Sequence, residues 1–251
     1  VSSGGEWVNK FEELICNYTG SKYSVAITNG TDALRLALHV VGVKSNDEVL
    51  LPPISFVASA NAIAHLGAIP YFVDIESKSM GLNPEALEQE LNTIGIKKGG
   101  QVFNKRTGRR ISAIMPVDVF GIPCGIEQLD KISKEWEIPL VEDCAEALGA
   151  TYKNRLIGLD GDCSCHSFYA NKTITTGEGG MVVFKNKNIF KKAIKIKNHG
   201  MSSKKKYFHD LVGSNYRLTN IQASIGFEQL KKIKKLIKQR KKIFNFYDKL
   251  I

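Results

Sequence analysis

The sequence predicts an α/β protein whose mainly parallel sheet is covered by helices. Three observations predict this fold class. Short apolar segments alternate with amphipathic segments over the first 143 residues, which is the order of elements in βαβ units. The apolar segments are nearly continuous, as is typical of strands that are buried on both faces. Polar residues and glycines follow several of them directly, and such sheets bind ligands at the carboxyl ends of their strands.

The first 74 residues contain a leading helix and then strands and helices in turn. Apolar side chains recur at helical spacing from residue 6 onward. The second helix ends at Gly42, because glycine favours the left-handed conformation found just after a helix. Helices are predicted over 6–19, 32–42 and 55–66, and strands over 23–27, 48–51 and 70–74.

The rest of the chain continues this alternation with longer polar insertions. Pro84 suits the first turn of a helix that begins near residue 83. The polar and basic segment 93–110 is interpreted as a loop or a β-excursion. Further strands are predicted over 112–117, 139–143 and 181–184, and further helices over 83–91, 126–136 and 221–251.

The composition favours a cytoplasmic globular protein. No apolar run approaches the ~20 residues of a membrane span, and the first residues lack the pattern of a signal peptide. The five cysteines have no framework spacing and are interpreted as reduced thiols. Cys163, Cys165 and His166 could suggest a metal site. However, alternation along a strand would separate the two cysteines from His166, so we expect no metal.

The net charge of +10 is distributed unevenly along the chain. Residues 185–251 contain 19 Lys and Arg and 3 Asp and Glu, which leaves 16 basic and 22 acidic residues in 1–184. One interpretation is a protein that binds nucleic acid or another anionic surface through the lysine-rich C-terminal helix. That helix lacks interleaved exposed aromatics, and the alternative is an ordinary solvated face. We therefore expect neither a nucleic-acid partner nor a membrane partner.

A loop lysine is the most informative candidate for chemistry. Lys172 lies five residues after Ser167 and shortly before Gly177, Gly179 and Gly180. A lysine held between rigid elements suits Schiff-base chemistry, because its amine must be partly desolvated and must reach a carbonyl. The glycines would let the backbone approach a flat cofactor closely or adopt positive φ. The alternative is a solvated surface lysine beside a turn.

Three further features follow predicted strands, and each has two interpretations. The turn at residues 28–33 leads into a helix N-terminus, so it is either a phosphate site or an ordinary cap. Phe56 either stacks on a planar ring or is a core aromatic. Asp143 either meets a cation such as a protonated pyridine nitrogen or caps a helix.

Taken together, these segments resemble the DegT/StrS family of nucleotide-sugar aminotransferases, over nearly the whole chain. The motifs that carry the resemblance are NGT at 29–31, SF at 55–56, EDCAEALGA at 142–150, the lysine loop at 167–180 and NYRLTN at 215–220. The segment 107–111 is similar to enzymes of the legionaminic-acid pathway, and 171–180 to perosamine synthases. The resemblance implies an aspartate-aminotransferase-like large domain (PLP fold type I) with a seven-stranded sheet and pyridoxal 5'-phosphate as cofactor.

The resemblance also implies a role for each matching residue. Lys172 would form the Schiff base and move a proton, while Asp143 would pair with the pyridine nitrogen. Phe56 would stack on the ring, and Glu146, where many relatives have glutamine, would lie near the phenolic oxygen. The cofactor phosphate would be held by Thr31, the Asp32 amide, Ser167 and, from the neighbouring subunit of a homodimer with a shared active site, Asn215.

The reaction that the resemblance implies moves an amino group, from glutamate, to C4 of a nucleotide-linked 4-keto-6-deoxy sugar for surface polysaccharide biosynthesis. Another keto acceptor, such as a keto-cyclitol, and a non-catalytic anion-binding relative remain alternatives. Asp118 stands where many relatives have histidine, so substrate contacts there would differ. We expect a cofactor-binding large domain over 1–225. Over 226–251 we expect a connecting helix toward a C-terminal small domain that this fragment lacks.

Overall fold

The computed structural model describes residues 5–202, 204–205 and 207–250. Its helices are α1 (Glu6–Thr19), α2 (Gly30–Val41), α3 (Ala58–Ala64), α4 (Pro84–Ile94), α5 (Ile126–Trp136), α6 (Lys187–Lys197), α7 (Asn220–Lys231) and α8 (Ile233–Tyr247), with a 3-10 turn at Val119–Gly121. Its strands are β1 (Tyr23–Ile27), β2 (Glu48–Leu51), β3 (Ile69–Phe72), β4 (Gly95–Lys98), β5 (Gln101–Asn104), β6 (Arg110–Ile114), β7 (Val141–Asp143), β8 (Thr151–Tyr152), β9 (Arg155–Leu156), β10 (Cys163–Ser167) and β11 (Gly180–Phe184).

Seven strands of the described chain form the central sheet, in the order β1-β11-β10-β7-β6-β2-β3. Two parallel bridges join β6 to β7, one between Ile114 and Leu140 and one between Val117 and Asp143. β11 runs antiparallel to both of its neighbours, and the other six strands are parallel to one another. The predicted seven-stranded, mainly parallel sheet is therefore confirmed.

Helices cover both faces of this sheet because successive strand residues point to opposite sides. On β11, Val182 packs into a core with α2, α3 and α6, whereas Met181 and Val183 pack against α1 and α7. On β2, Leu50 faces a third core formed with α4 and α5. Burial on both faces explains why the strand sequences are nearly continuous apolar runs.

The segment 93–110 and the C-terminal region refine the sequence analysis. The former contains the antiparallel hairpin β4–β5, which confirms a β-excursion. The single helix predicted over 221–251 is wrong, because α7 ends and α8 begins around Lys232. The predicted domain boundary at residue 225 lies inside α7 and stays a prediction. None of the described helices combines the length and the apolar composition that a membrane span requires.

Four elements escape the sequence analysis: the short strands β8 and β9, strand β10 and helix α6. The sequence of β10, Cys-Ser-Cys-His-Ser, is too polar to be recognised as a buried strand. In α6, five lysines dilute an apolar stripe formed by Ile189, Phe190, Ala193 and Ile196. The five cysteines form no disulfide. As strand alternation predicts, Cys163 and Cys165 pack in the core beside α2 and α6.

Candidate active site

A cavity of about 660 Å³ lies where several strands of the central sheet end. It is bordered by the N-terminus of α2, the start of α3, the segments that follow β6 and β7, and the lysine loop after β10. Of the residues predicted from the sequence, those that line it are Thr31, Asp32, Phe56, Asp118, Asp143, Glu146, Ser167 and Lys172. The topology therefore brings together side chains that are up to 141 residues apart in sequence, from Thr31 to Lys172.

The N-terminus of α2 forms one end of the cavity. Asn29 caps the helix, because its side-chain oxygen accepts a hydrogen bond from the Asp32 amide at 2.8 Å. The Asp32 carboxylate turns back and accepts hydrogen bonds from Thr28 and Asn29, at 3.0 and 2.9 Å. The Asp32 amide was expected to hold an anion, but the Asn29 side chain already accepts its hydrogen bond. The amides of Gly30 and Thr31, in the same turn, have no acceptor within the helix.

Ser167, the last residue of β10, faces this helix end. A Cβ atom added to Gly30 would lie 2.9 Å from the Ser167 Cβ, so the close approach requires glycine. The Ser167 hydroxyl oxygen accepts the Tyr169 amide at 3.3 Å, which leaves its own hydrogen free to be donated. Gly30, Thr31 and Ser167 thus present several donors to the same end of the cavity, an arrangement that suits an anion.

Two glycines of the lysine loop, Gly179 and Gly180, pack closely against protein atoms, whereas the sequence analysis expected them to approach a flat cofactor. A Cβ atom at Gly180 would lie 2.4 Å from the Asn29 carbonyl oxygen, and one at Gly179 would lie 2.2 Å from the Thr176 hydroxyl oxygen. Gly177 adopts φ 79° at an open turn. Close packing within the protein, rather than approach to a cofactor, explains Gly179 and Gly180.

Asp143 ends β7 and is buried at the cavity floor. One carboxylate oxygen accepts the Ser59 hydroxyl at 2.6 Å, and the other accepts the Ala145 amide at 3.1 Å. Burial raises the pKa of Asp143, while both hydrogen bonds and the positive charge of Lys172 oppose that rise. Ser59 was not identified from the sequence. Its only signal is a polar residue on the buried side of a short helix.

The Lys172 side chain is 18% exposed, and its amine lies 3.1 Å from a Glu146 carboxylate oxygen. The second oxygen of Glu146 accepts the Phe120 amide at 2.9 Å, so the carboxylate is held between two donors. Phe120 has a φ of 55° in the turn after Asp118. Lys172 is therefore a paired cavity residue and not a solvated surface lysine.

The backbone of the lysine loop is closed by its own hydrogen bonds. The Phe168 amide donates to the Gly179 carbonyl at 2.8 Å, and the Thr176 amide donates to the Phe168 carbonyl at 3.0 Å. Within the loop, the Lys172 amide donates to the Tyr169 carbonyl at 3.0 Å. These bonds fix both ends of the loop and make Lys172 the last residue of a turn that begins at Tyr169.

Phe56 and Asn215 lie differently from the other predicted residues. Phe56 is 73% exposed at the cavity, which rules out the core-aromatic interpretation. Asn215 does not belong to the cavity lining and forms an antiparallel bridge with Asn198. A contribution of Asn215 to a site therefore requires a second copy of the chain, and this stays a prediction.

Asp118, which lines the cavity, belongs to a cluster of three buried polar residues that the sequence spacing did not reveal. Potential ligand atoms of Asp118, Glu142 and Cys144 lie within 4.8 Å of one another. Asp118 accepts hydrogen bonds from the Cys124 amide at 3.1 Å and the Cys144 thiol at 3.3 Å. Burial raises the pKa of Asp118 to about 6 and that of Glu142 to about 8. Burial thus favours the protonated form of both carboxyl groups.

His166 is a further buried titratable group of this region. Burial lowers its pKa to about 4, so the ring is neutral. Its Nε2 atom lies 3.4 Å from the Ser164 hydroxyl, while Nδ1 has no hydrogen-bond partner among the described residues. His166 lies on the opposite side of β10 from Cys163 and Cys165, as alternation predicts.

Comparison with known proteins identifies the chain. A GDP-perosamine synthase of Escherichia coli O157:H7 is 38% identical over 251 residues, which are 100% of this chain and 65% of that protein. The structure of Helicobacter pylori PseC, an aminotransferase involved in the biosynthesis of pseudoaminic acid, is similar with a TM-score of 0.87 at 29% identity, over 98% of this chain and 63% of that one.

A third similar protein was solved with a cofactor. The structure of ntda from Bacillus subtilis, with bound cofactor PMP, has a TM-score of 0.81 at 26% identity and covers 92% of this chain and 49% of that one. The chain thus spans less than two thirds of the length of these relatives. The model of the DegT/DnrJ/EryC1/StrS aminotransferase family matches residues 1–251. The chain belongs to the DegT/DnrJ/EryC1/StrS aminotransferase family.

Proposed function

We propose that this chain uses pyridoxal 5'-phosphate to move an amino group from glutamate to C4 of a nucleotide-linked 4-keto-6-deoxy sugar, for the biosynthesis of surface polysaccharide. The observation that carries the proposal is a single cavity lined by Lys172, by the buried Asp143 and by the N-terminus of α2. Family membership supports the reaction type. The similarity to a GDP-perosamine synthase supports a sugar nucleotide as acceptor.

The donors and acceptors of the cavity fit this cofactor. Thr31, Ser167 and the first amides of α2 suit a phosphate dianion. The cradle between Gly30 and Ser167 leaves no room for a Cβ atom. Asp143 offers a buried carboxylate whose oxygens each have a further lone pair. When bound, pyridoxal phosphate supplies an aldehyde for amine exchange and a ring that accepts electron density from the donor's α-carbon.

Lys172 is proposed as the residue that binds the cofactor covalently and moves a proton at its Nζ atom. Its position as the closing residue of a hydrogen-bonded turn fixes the starting point of a flexible four-carbon side chain. The Glu146 carboxylate orients the Nζ atom and is itself held by the Phe120 amide. Oriented proton transfer of this kind is typically worth ~10²–10⁴ in rate.

Asp143 is proposed to keep the pyridine nitrogen protonated. A buried carboxylate is costly without a cation, and burial already raises its pKa in the absence of such a partner. A cation at the free lone pairs would stabilise the ionised form. Phe56, exposed at the cavity edge, is proposed to cover one face of the ring.

We further propose a cytoplasmic homodimer with a shared active site. The support is the place of Asn215, which lies outside the cavity of its own chain and would reach the phosphate site of a second copy. The exposed phenylalanines Phe56 and Phe120 near the cavity would also be covered in a dimer. The division into a domain over 1–225 and a connecting helix over 226–251 belongs to the same proposal.

The test is spectroscopic and uses the chain as it exists. Purified protein is mixed with pyridoxal phosphate, and the visible absorbance band of the cofactor bound covalently to the lysine amine is recorded before and after glutamate is added. We expect the band to form and then to bleach, with 2-oxoglutarate as product, because the amine is left on the cofactor. A keto sugar nucleotide should restore the band and yield an amino sugar by mass spectrometry. Absence of the band at saturating cofactor contradicts the proposal.

A further inference from the structure

Helix α8 contacts the lysine loop through a single charged side chain. The Arg240 guanidinium donates from one nitrogen to the Lys172 carbonyl at 2.5 Å and to the Asn171 carbonyl at 3.2 Å. Arg240 is exposed, and it forms no ion pair with any carboxylate in the described part of the chain. Its fixed contact is therefore with the backbone of the residue that carries the reactive amine.

A second contact seats α8 on the segment that carries Glu146. The Ile237 side chain lies so close to Gly149 that a Cβ atom there would be 2.5 Å from the Ile237 Cδ1 atom. Gly149 follows Glu146 by three residues and has a φ of 92°. Ile233, one turn earlier, is buried in the core beside α1 and α7. α8 is thus anchored to the body of the protein before it reaches the loop.

These two contacts join α8 to the two segments that carry the members of one ion pair. Glu146 holds the Lys172 amine, and Arg240 holds the Lys172 carbonyl. Among the described residues, Arg240 is the donor that satisfies the Asn171 and Lys172 carbonyls. Water is the alternative donor, so removing the guanidinium leaves these carbonyls solvated and the turn free to move.

We propose that Arg240 is a positioning residue that fixes the backbone of Lys172 and thereby couples α8 to the reactive amine. The chemical meaning of this coupling rests on the proposed function, since it is the amine of Lys172 that must meet the cofactor. A guanidinium suits the role because its planar donors can bridge two adjacent carbonyls while it stays charged at any physiological pH.

The first test needs no cofactor. Hydrogen exchange of the peptide amides over 169–177 is compared between the parent, Arg240→Ala, Arg240→Lys and the control Lys238→Ala, which changes an exposed residue half a turn away on α8. We expect exchange in Arg240→Ala to be about three- to tenfold faster, because the hydrogen bonds from the guanidinium to two surface carbonyls are lost. Arg240→Lys should restore part of the protection, and Lys238→Ala should match the parent.

Two outcomes of this test would overturn the proposal. One is equal exchange in Arg240→Ala and the parent. The other is faster exchange that extends to α2 and β10 as well, since that result would indicate general loosening rather than positioning. The melting temperature of Arg240→Ala serves as a further check and should equal that of the parent, because Arg240 is exposed.

The second test links the backbone contact to the amine. The pyridoxal phosphate concentration that gives half of the visible band should rise about three- to tenfold in Arg240→Ala, since the competent loop is less populated. Arg240→Lys should lie between Arg240→Ala and the parent. An unchanged midpoint together with faster exchange would overturn the coupling. If the parent forms no band, the proposed function fails, while the exchange measurement still decides the role of Arg240.

Discussion

The cavity and helix α8 both carry lysines, but they surround them differently. In the cavity, the Lys172 side chain is 18% exposed and its amine lies 3.1 Å from Glu146. Along α8, every lysine is exposed, and the ion pairs of this region in the described chain end with that of Lys231, just before the helix begins. The surroundings created by the fold, and not the residue type, distinguish Lys172 from the lysines of α8.

The same contrast holds for the partners of the charged groups. Around the cavity, Asp143 is held by Ser59 and Ala145, and Glu146 is held by the Phe120 amide. On α8, the one described side-chain contact to the cavity region that involves a charge is that of Arg240. A substitution in the cavity should therefore remove a defined interaction, whereas most substitutions on α8 should remove only a solvated charge.

The largest effect is expected when the cavity lysine, Lys172, is replaced by alanine, and the matched control replaces an exposed lysine of α8. Lys172→Ala should abolish the visible band and lower amine transfer by at least about 10²–10⁴-fold, because the nucleophile and proton carrier is lost. Lys238→Ala on α8 should leave both unchanged. Absorbance with pyridoxal phosphate and mass spectrometry of the amino sugar measure the two quantities. A normal band in Lys172→Ala would show that Lys172 is not the residue that binds the cofactor covalently.

A second expected effect concerns the buried carboxylate. Asp143→Asn keeps the shape of the side chain and removes the charge that would face the pyridine nitrogen. Removing one partner of a buried ion pair costs ~3–5 kcal/mol, so amine transfer should fall by at least about 100-fold. Ser59→Ala is the matched control, because it removes one hydrogen bond to Asp143 and keeps the charge. Equal losses in the two variants would argue against a cation at Asp143.

A third expectation concerns how the free energy of unfolding depends on pH. The buried carboxyl groups should contribute to this dependence, whereas the exposed charges of α8 should not. Burial raises the pKa of Glu142 from 4.5 to about 8. The folded state thus binds this proton more tightly than the unfolded chain. The associated stability is complete below the unfolded pKa and is lost as the pH rises toward 8. Asp118, with a pKa of about 6, makes the free energy of unfolding fall with rising pH in the same direction, but at lower pH.

Glu142→Gln should remove most of this slope while keeping an acceptor for the Asp160 and Gly161 amides. The free energy of unfolding, measured with urea at several pH values, should therefore change less between about pH 5 and 8, by an amount on the order of a few kcal/mol. Glu88→Gln on the exposed side of α4 is the control. An unchanged slope in Glu142→Gln would show that Glu142 does not titrate in this window.

The smallest effect is expected on α8 itself. Replacing Lys234, Lys238 and Lys241 together with glutamine should change the free energy of unfolding by no more than about 0.5 kcal/mol per site, because all three are exposed. The same variant tests the nucleic-acid alternative. Retention of DNA by the parent that falls steeply with salt, and that is lost in the variant, would favour an anion-binding role for α8.

The sequence alone was sufficient for the strand-end residues of the site. Asp143 ends a predicted apolar strand, and parallel strands bring their carboxyl ends to one edge. Ser167 and Lys172 were found from the motif of the lysine loop, because β10 is too polar to be predicted as a strand. Thr31 follows from the turn that begins a helix. Because these placements depend on local pattern and sheet topology, they could be predicted without knowing how side chains pack.

What the sequence did not predict depends on contacts between distant segments. Ser59 meets Asp143 across 84 positions, and Arg240 meets Lys172 across 68. The Asp32 amide is occupied by its own cap, which depends on the rotamer of Asn29. Hydrogen-bond geometry of this kind varies over tenths of an ångström, and residue spacing carries no information at that scale.

The sequence by itself determined most of the order of strands and helices, the mainly parallel sheet and the lysine loop, because hydrophobic periodicity and glycine placement act locally. It missed β10 and α6, whose polar and charged residues hide their buried faces. The tertiary structure alone decided that Glu146 pairs with Lys172, that Glu142 and Asp143 lie in different surroundings, and that α8 touches the loop. Burial and partners set the chemistry of a charged side chain, and both arise only when segments far apart in the chain pack together.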